Sequence, residues 1–158
     1  EEKLLGTAAT LMENKYFFKD STGFLIHGDN LTNFNLSKLL NAHKKRSSNC
    51  LLTMLTFNSR NPRHCGIVET DQNGILKDFH EKVENPPSNR ANAAVYAFDY
   101  ELIEFLSSLS IQKVDFSKDI IPKLLGRIQT YHTNDFFIDI GTKESLEEAN
   151  KFWGEINE

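Results

Sequence analysis

Apolar positions recur along the chain with two periods. GTAATLMENKYFF (6–18) places Leu11, Met12, Tyr16 and Phe17 or Phe18 at helical spacing behind a Gly-Thr start, which predicts a helix over this stretch. GFLIH (23–27) is a short apolar run of the buried-strand kind, and CLLTMLTF (50–57) is another. Between them Leu36, Leu39, Leu40 and His43 form one helical face that Asn35 or Ser37 can cap, with Lys44, Lys45 and Arg46 near the end where cations complement the helix dipole. The rhythm then becomes period two: CGIVETDQNGILKDFHEK (65–82) reads as two strands around Asp71-Gln72-Asn73-Gly74, with an Asn-Gly hairpin signal. A strand is expected at ANAAVYAFD (91–99) and a helix at 100–109. Asp115 can cap a helical stretch over 115–125, which Pro122 should kink or divide. RIQTYH (127–132) and FFIDI (136–140) read as strands, and Thr142 can cap a last amphipathic helix.

Buried strands alternating with helices predict an α/β domain, Rossmann-like, with a mixed and mainly parallel sheet flanked by helices; the central hairpin makes it mixed. The 158 residues, 39% hydrophobic and 25% charged, suit a single domain over 1–158 with a full core. A net charge of −4 supplies no basic face, so neither nucleic acid nor an anionic membrane is an expected partner. No apolar run approaches the roughly 20 residues of a membrane span. Cys50 and Cys65 lack metal-ligand spacing and read as reduced thiols of a cytoplasmic protein, and the five histidines form no H-x-x-x-H pattern.

In open α/β sheets, ligands bind beyond the carboxyl ends of the strands. FLIHGD and FFIDIG each deliver an aspartate to such an end, Asp29 and Asp139. Two aspartates from separate strands suit a hard divalent cation such as Mg²⁺, which takes oxygen ligands and completes its shell with water and substrate phosphates. Taken singly, each reads first as a cap, Asp29 of a turn and Asp139 of the helix at 142; it is as a pair at strand ends that they point to a metal. HEKVENPPSN (80–89) sets Glu81 beside Lys82 ahead of a Pro-rich turn, an acceptor next to a cation, or simply a solvated strand end.

The segments GTAAT, FLIHGDN, CGIVETDQNGILKDFHEKVENPPSNRANAAVYAFD, DFSKDIIPKLL and FIDIGTKESLEEAN, in this order from Gly6 to about Trp153, resemble the sugar-nucleotidyltransferase family, the nucleoside-diphosphate-sugar pyrophosphorylases. Within it they look most like mannose-1-phosphate and heptose-1-phosphate guanylyltransferases. The resemblance implies nucleotidyl transfer from a nucleoside triphosphate, GTP by preference, to a sugar 1-phosphate, with Mg²⁺ as cofactor and with self-association common. Thymidylyl, uridylyl or cytidylyl transfer to a glucose-type sugar is the alternative, and a non-catalytic nucleotide-sugar-binding homologue is another. It further implies that Asp29 and Asp139 bind the metal, that Lys82 holds the sugar phosphate and Glu81 the sugar hydroxyls, that Gly66 and Asn92 lie at the sugar, and that Gly6 and Thr7 contact the nucleotide.

Three features depart from the family pattern. Its Gly-rich loop, G-G-x-G-T-R-L, has no match here, so the chain reads as N-terminally incomplete, the nucleotide half beginning upstream. Val83 stands where the Glu-Lys-Pro motif has proline, and Ala94 where Asn-Ala-Gly has glycine.

Overall fold

The computed structural model describes residues 5–109 and 114–157. Eight strands and four α-helices follow in chain order: α1 (Thr7–Glu13), β1 (Gly23–Ile26), β2 (Asn30–Thr32), α2 (Leu36–Lys44), β3 (Leu52–Asn58), β4 (Gly66–Thr70), β5 (Leu76–Glu81), β6 (Arg90–Phe98), α3 (Tyr100–Ser108), β7 (Ile128–His132), β8 (Phe137–Asp139) and α4 (Lys143–Asn157). β6 is the longest strand and the axis of the main sheet, whose order is β5-β4-β6-β3-β7, with β1 also paired to β6. β2 and β8 form a separate two-stranded ribbon.

The sheet is mixed, as the sequence pattern implies, and β1, β3, β4 and β7 all run the same way. Parallel neighbours are nevertheless fewer than "mainly parallel" suggests: among the described residues only β3 and β7 pair in parallel. The reason lies in how the chain is wound. The crossover through α2 sets β1 and β3 parallel, but β6 enters between them from the β4–β5 hairpin and pairs antiparallel on both of its edges. The far edges also meet. Ile75 bridges Gln129, Gly126 donates to the Leu76 carbonyl at 2.8 Å, and Thr130 donates to the Gly74 carbonyl at 2.8 Å, so the sheet curls until β5 reaches β7.

Period-two alternation along β3 and β6 divides the core in two. Leu52, Met54, Tyr96 and Phe98 face one way and are covered by Leu102, Ile103 and Leu106 of α3, Leu11 of α1 and Phe116, Ile120, Ile121 and Leu124. Leu55, Ala93, Val95 and Ala97 face the other way and meet Phe34 and Leu39. At about 25 cal/mol per Å² of buried apolar surface, these two layers supply the main driving force for folding.

Local signals place most element ends. Asn35 caps α2 by accepting from Ser37 N at 2.9 Å, and Asp115 accepts from Lys118 N at 2.9 Å. Thr142 Oγ1 accepts from Ser145 N at 3.1 Å at the start of α4. Pro122 divides 115–125 as expected, with a π-turn over Phe116–Ile120 followed by a 3₁₀ turn over Ile121–Leu124. The first helix is shorter than its apolar period suggests. It ends at Glu13, and Tyr16 and Phe17 lie in a 3₁₀ turn, 77% and 82% exposed rather than on the core face. Of the Lys44-Lys45-Arg46 run the two lysines are solvated, whereas Arg46 turns inward to Asp99 Oδ2 at 2.8 Å. Both cysteines are free.

Candidate active site

β1 and β4 follow one another along the same edge of β6. β1 covers Val95–Phe98, and β4 joins at Ala91. The break between them falls at Asn92–Ala94, where β6 bulges: Met54 pairs with Tyr96 but Thr56 with Asn92. Ala94 lies in the left-handed region, at φ 51°, the position where the family motif has glycine. Asn92 holds this turn from within. Its Oδ1 accepts from Ala94 N at 3.0 Å and its amide donates to the Tyr96 hydroxyl at 2.7 Å.

Asp29 and Asp139 meet at the end of β1. The chain turns at Gly28–Asp29 into β2, which pairs antiparallel with β8 so that Asn30 lies opposite Asp139. Ile140 N donates to the Asp29 carbonyl at 2.8 Å, and Asn30 Nδ2 donates to the Ala93 carbonyl at 2.9 Å, tying this ribbon to the bulge of β6. Both carboxylates converge on Gly141. A Cβ there would lie 2.8 Å from Asp139 Oδ1 and 3.7 Å from Asp29 Oδ2, and Gly141 N already donates to Asp139 Oδ1 at 2.8 Å. Among the described residues no cationic side chain pairs with either aspartate. Two convergent carboxylates without a protein counter-charge are a donor set that fits a hard divalent cation.

Glu81 and Lys82 arrive from the hairpin. Glu81 lies opposite Gly66 in the β4–β5 register, and Lys82 leaves the strand at φ 51° with its N–H donated to the Cys65 carbonyl at 3.1 Å. The space a side chain at Gly66 would need is already filled by the Phe79 ring and by Glu81 Oε2, 2.7 Å from the Cβ position. The glycine therefore makes room for Glu81. Burial raises the Glu81 pKa, with Asp115 adding to the rise and Lys82 and Lys118 opposing it. Cys65 joins the two halves of the site. Burial raises its pKa first of all, and its thiol also senses Asp139, Lys82 and Glu81.

Gly6 and Thr7 pack on the segment that begins at Val114. Gly6 has φ 86° and lies so close to the Val114 backbone that a Cβ would come within 2.6 Å of its carbonyl oxygen. Thr7 Oγ1 accepts from Phe116 N at 3.1 Å. Charge on Asp115 adds to the raised pKa of both Glu81 and Tyr96, after burial in each case. The structure thus brings Asp29, Asp139, Gly66, Glu81, Lys82 and Asn92 around the break in β6, with Gly6 and Thr7 across the 114–118 segment.

Sequence reasoning missed Gly141, which stands two residues beyond Asp139 and lies against both carboxylates. It also missed a second group: Glu69, Asp78 and His80, on the outer face of the hairpin, bring ligand atoms within 4.8 Å of one another, with His80 Nε2 2.7 Å from Glu69 Oε1. Among the described residues no helix is long and apolar enough to cross a membrane.

A family model described as nucleotidyl transferase matches residues 1–155. Glucose-1-phosphate adenylyltransferases of Clostridium novyi and Mycoplasma mobile are 31% and 30% identical to the chain over 92% of its length. The chain spans 41% of each of those relatives. Among solved structures, a Bacillus anthracis protein assigned as a glucose-1-phosphate thymidylyltransferase and crystallised with sucrose superposes with a TM-score of 0.83 at 18% identity, covering 96% of this chain and 62% of that one. HddC from Yersinia pseudotuberculosis gives 0.74 at 22% identity, covering 96% and 64%. The strand-end aspartates, the Glu-Lys corner and the Asn-bearing bulge therefore sit in a fold shared with these proteins, and the family match runs through all of them: the chain belongs to the nucleotidyl transferase family.

Proposed function

We propose that the protein carrying this chain transfers a nucleotidyl group from a nucleoside triphosphate to a sugar 1-phosphate, releasing pyrophosphate. The observation that carries this reading is the register of β2 on β8, which sets Asp29 and Asp139 together beside Gly141. These two residues would hold Mg²⁺, whose charge would stabilise the α-phosphate and the departing pyrophosphate. Lys82, exposed at the hairpin corner, would neutralise the sugar phosphate, while Glu81 accepts from the sugar hydroxyls. The attacking phosphate oxygen is already ionised, so the site needs no general base. Asn92 and Gly66 shape the sugar side, Asn92 by fixing the bulge and Gly66 by admitting Glu81. Gly6 and Thr7 lie toward the nucleotide.

The relatives' names move the reading of the substrates away from GTP and a manno- or heptose-type sugar. Adenylyl transfer to glucose 1-phosphate is the first reading, supported by the glucose-1-phosphate adenylyltransferases above; thymidylyl transfer to the same sugar is the second. The test is pyrophosphate release by the full-length protein, offered each of ATP, dTTP, GTP, UTP and CTP with glucose or mannose 1-phosphate. ATP with glucose 1-phosphate should turn over fastest. A preference for GTP with mannose 1-phosphate would restore the guanylyl reading, and no release with any pair would overturn the proposal.

A further inference from the structure

Arg90 opens β6 on the inner face of the curled sheet, where β5 closes on β7, and its side chain is half-buried. Its guanidinium donates to three hydroxyls from three different strands: Nε to Thr56 at 3.2 Å, Nη1 to Thr70 at 3.4 Å and Nη2 to Thr130 at 3.1 Å. Among the described residues no carboxylate forms an ion pair with it. A charge taken partly out of water is ordinarily paired, because neutral hydroxyls solvate it without cancelling it. Burial lowers the Arg90 pKa with no neighbouring acid to offset it.

An imidazole faces it. His132 ends β7 with Nδ1 3.2 Å from Thr56 Oγ1, so this hydroxyl lies between the imidazole and the guanidinium. Burial lowers the His132 pKa, the Arg90 charge lowers it further, and a hydrogen bond with Asn134 opposes both. The donor supply is also uneven. Thr130 gives its hydroxyl proton to the Gly74 carbonyl at 2.8 Å and so can only accept from Arg90. A guanidinium has five N–H groups, of which these contacts engage three, and the Thr70 hydroxyl, an acceptor from Arg90, keeps its own proton to give.

We propose that Arg90, Thr70 and His132 form a binding site for a small oxyanion of the phosphate or sulfate class, separate from the corner that holds Lys82. The guanidinium supplies the charge and its two uncommitted N–H groups, Thr70 a further donor, and the imidazole a third side. Because Arg90 stands two residues before Asn92 on β6, an anion bound there would brace the strand that carries the bulge.

The test is titration of the isotope-labelled full-length protein with inorganic phosphate at constant ionic strength, set by chloride and followed by NMR at Arg90 Nε–H and the His132 ring. Saturable shifts at both groups are expected, reversed in competition with sulfate and preserved in Lys82→Ala. Arg90→Gln should weaken binding by about tenfold or more, as loss of a charge-assisted hydrogen bond implies. Arg90→Lys, which keeps the charge without the fork, should fall between. If Arg90→Gln does not fold, the wild-type shifts and the Arg90→Lys titration decide. Shifts that do not saturate, that vanish in Lys82→Ala, or that are unchanged in Arg90→Lys would overturn the proposal.

Discussion

Gly141→Ala separates the fold from the site. Gly141 is exposed and lies outside the left-handed region, so alanine meets no backbone penalty there. Loss of glycine's unfolded-state freedom stabilises by about 0.4–1 kcal/mol. Against this, the methyl carbon would come to 2.8 Å from Asp139 Oδ1, inside ordinary contact, and the carboxylate must swing away. That movement strains or breaks the Gly141 N–H bond to Asp139, an exposed hydrogen bond worth about 1 kcal/mol. The two terms nearly cancel, and the net stability change should be within about 1 kcal/mol of zero. The site fares differently. The methyl occupies the space on which Asp29 and Asp139 converge, and a displacement on the order of 1 Å at a reacting centre can cost about 10²-fold in rate. Denaturant unfolding of wild type and variant gives the first quantity, and initial rates of pyrophosphate release by the full-length protein give the second. A variant with wild-type turnover would refute the convergence of the two carboxylates as the working geometry. A variant that loses several kcal/mol would refute the claim that Asp139 yields at little expense to the fold.

The strain at Ala94 predicts an unequal response to two small substitutions. Ala94→Gly trades relief of about 1 kcal/mol of left-handed strain against glycine's chain entropy and should stay within about 1 kcal/mol of wild type in chemical unfolding. Ala94→Val adds a β-branch at positive φ and should lose about 2 kcal/mol or more; equal effects of the two would show that residue 94 is not left-handed. For Glu81 the raised pKa fixes a sign. The native state holds its proton more readily than the unfolded chain, so the carboxyl's contribution is intact below its ordinary value of 4.5 and is lost as pH rises through the raised native value. Glu81→Gln should therefore gain stability relative to wild type as pH climbs through that window, and match it below, while losing turnover; unfolding curves from pH 4 to 8 with parallel rates check both, and a gain that appears only in acid contradicts the assignment.

Much of this molecule can be read from its residues because its strongest signals are local. Asn35, Asp115 and Thr142 cap where a short polar side chain precedes an apolar period. The Asn-Gly turn joins β4 to β5, and Pro122 divides its helical stretch. Asp29, Asp139, Glu81 and Lys82 stand out because an apolar strand that ends on a charged residue is visible in one dimension. Features set by pairing are not. The three-residue strand Asn30–Thr32 has no periodicity of its own and exists through β8. The insertion of β6 between β1 and β3 depends on which edges remain free after the hairpin forms, so the parallel share of the sheet is overestimated from alternation alone. Tyr16 and Phe17 continue the helical period, yet the chain leaves the helix before them. Arg90 looks like one more charge in a Pro-rich loop until three threonines from three strands close around it.

The pairing of Asp29 with Asp139 as a cation site is tested most directly by titrating the full-length protein with Mn²⁺, read by electron paramagnetic resonance, in wild type, Asp29→Asn and Asp139→Asn, with Glu69→Gln as control. One ion should bind wild type and the control alike, and both aspartate variants should bind about tenfold more weakly or worse while unfolding at wild-type denaturant concentrations. Unchanged affinity in both aspartate variants, with binding lost instead in Glu69→Gln, would place the cation on the outer face of the hairpin and contradict the site described above.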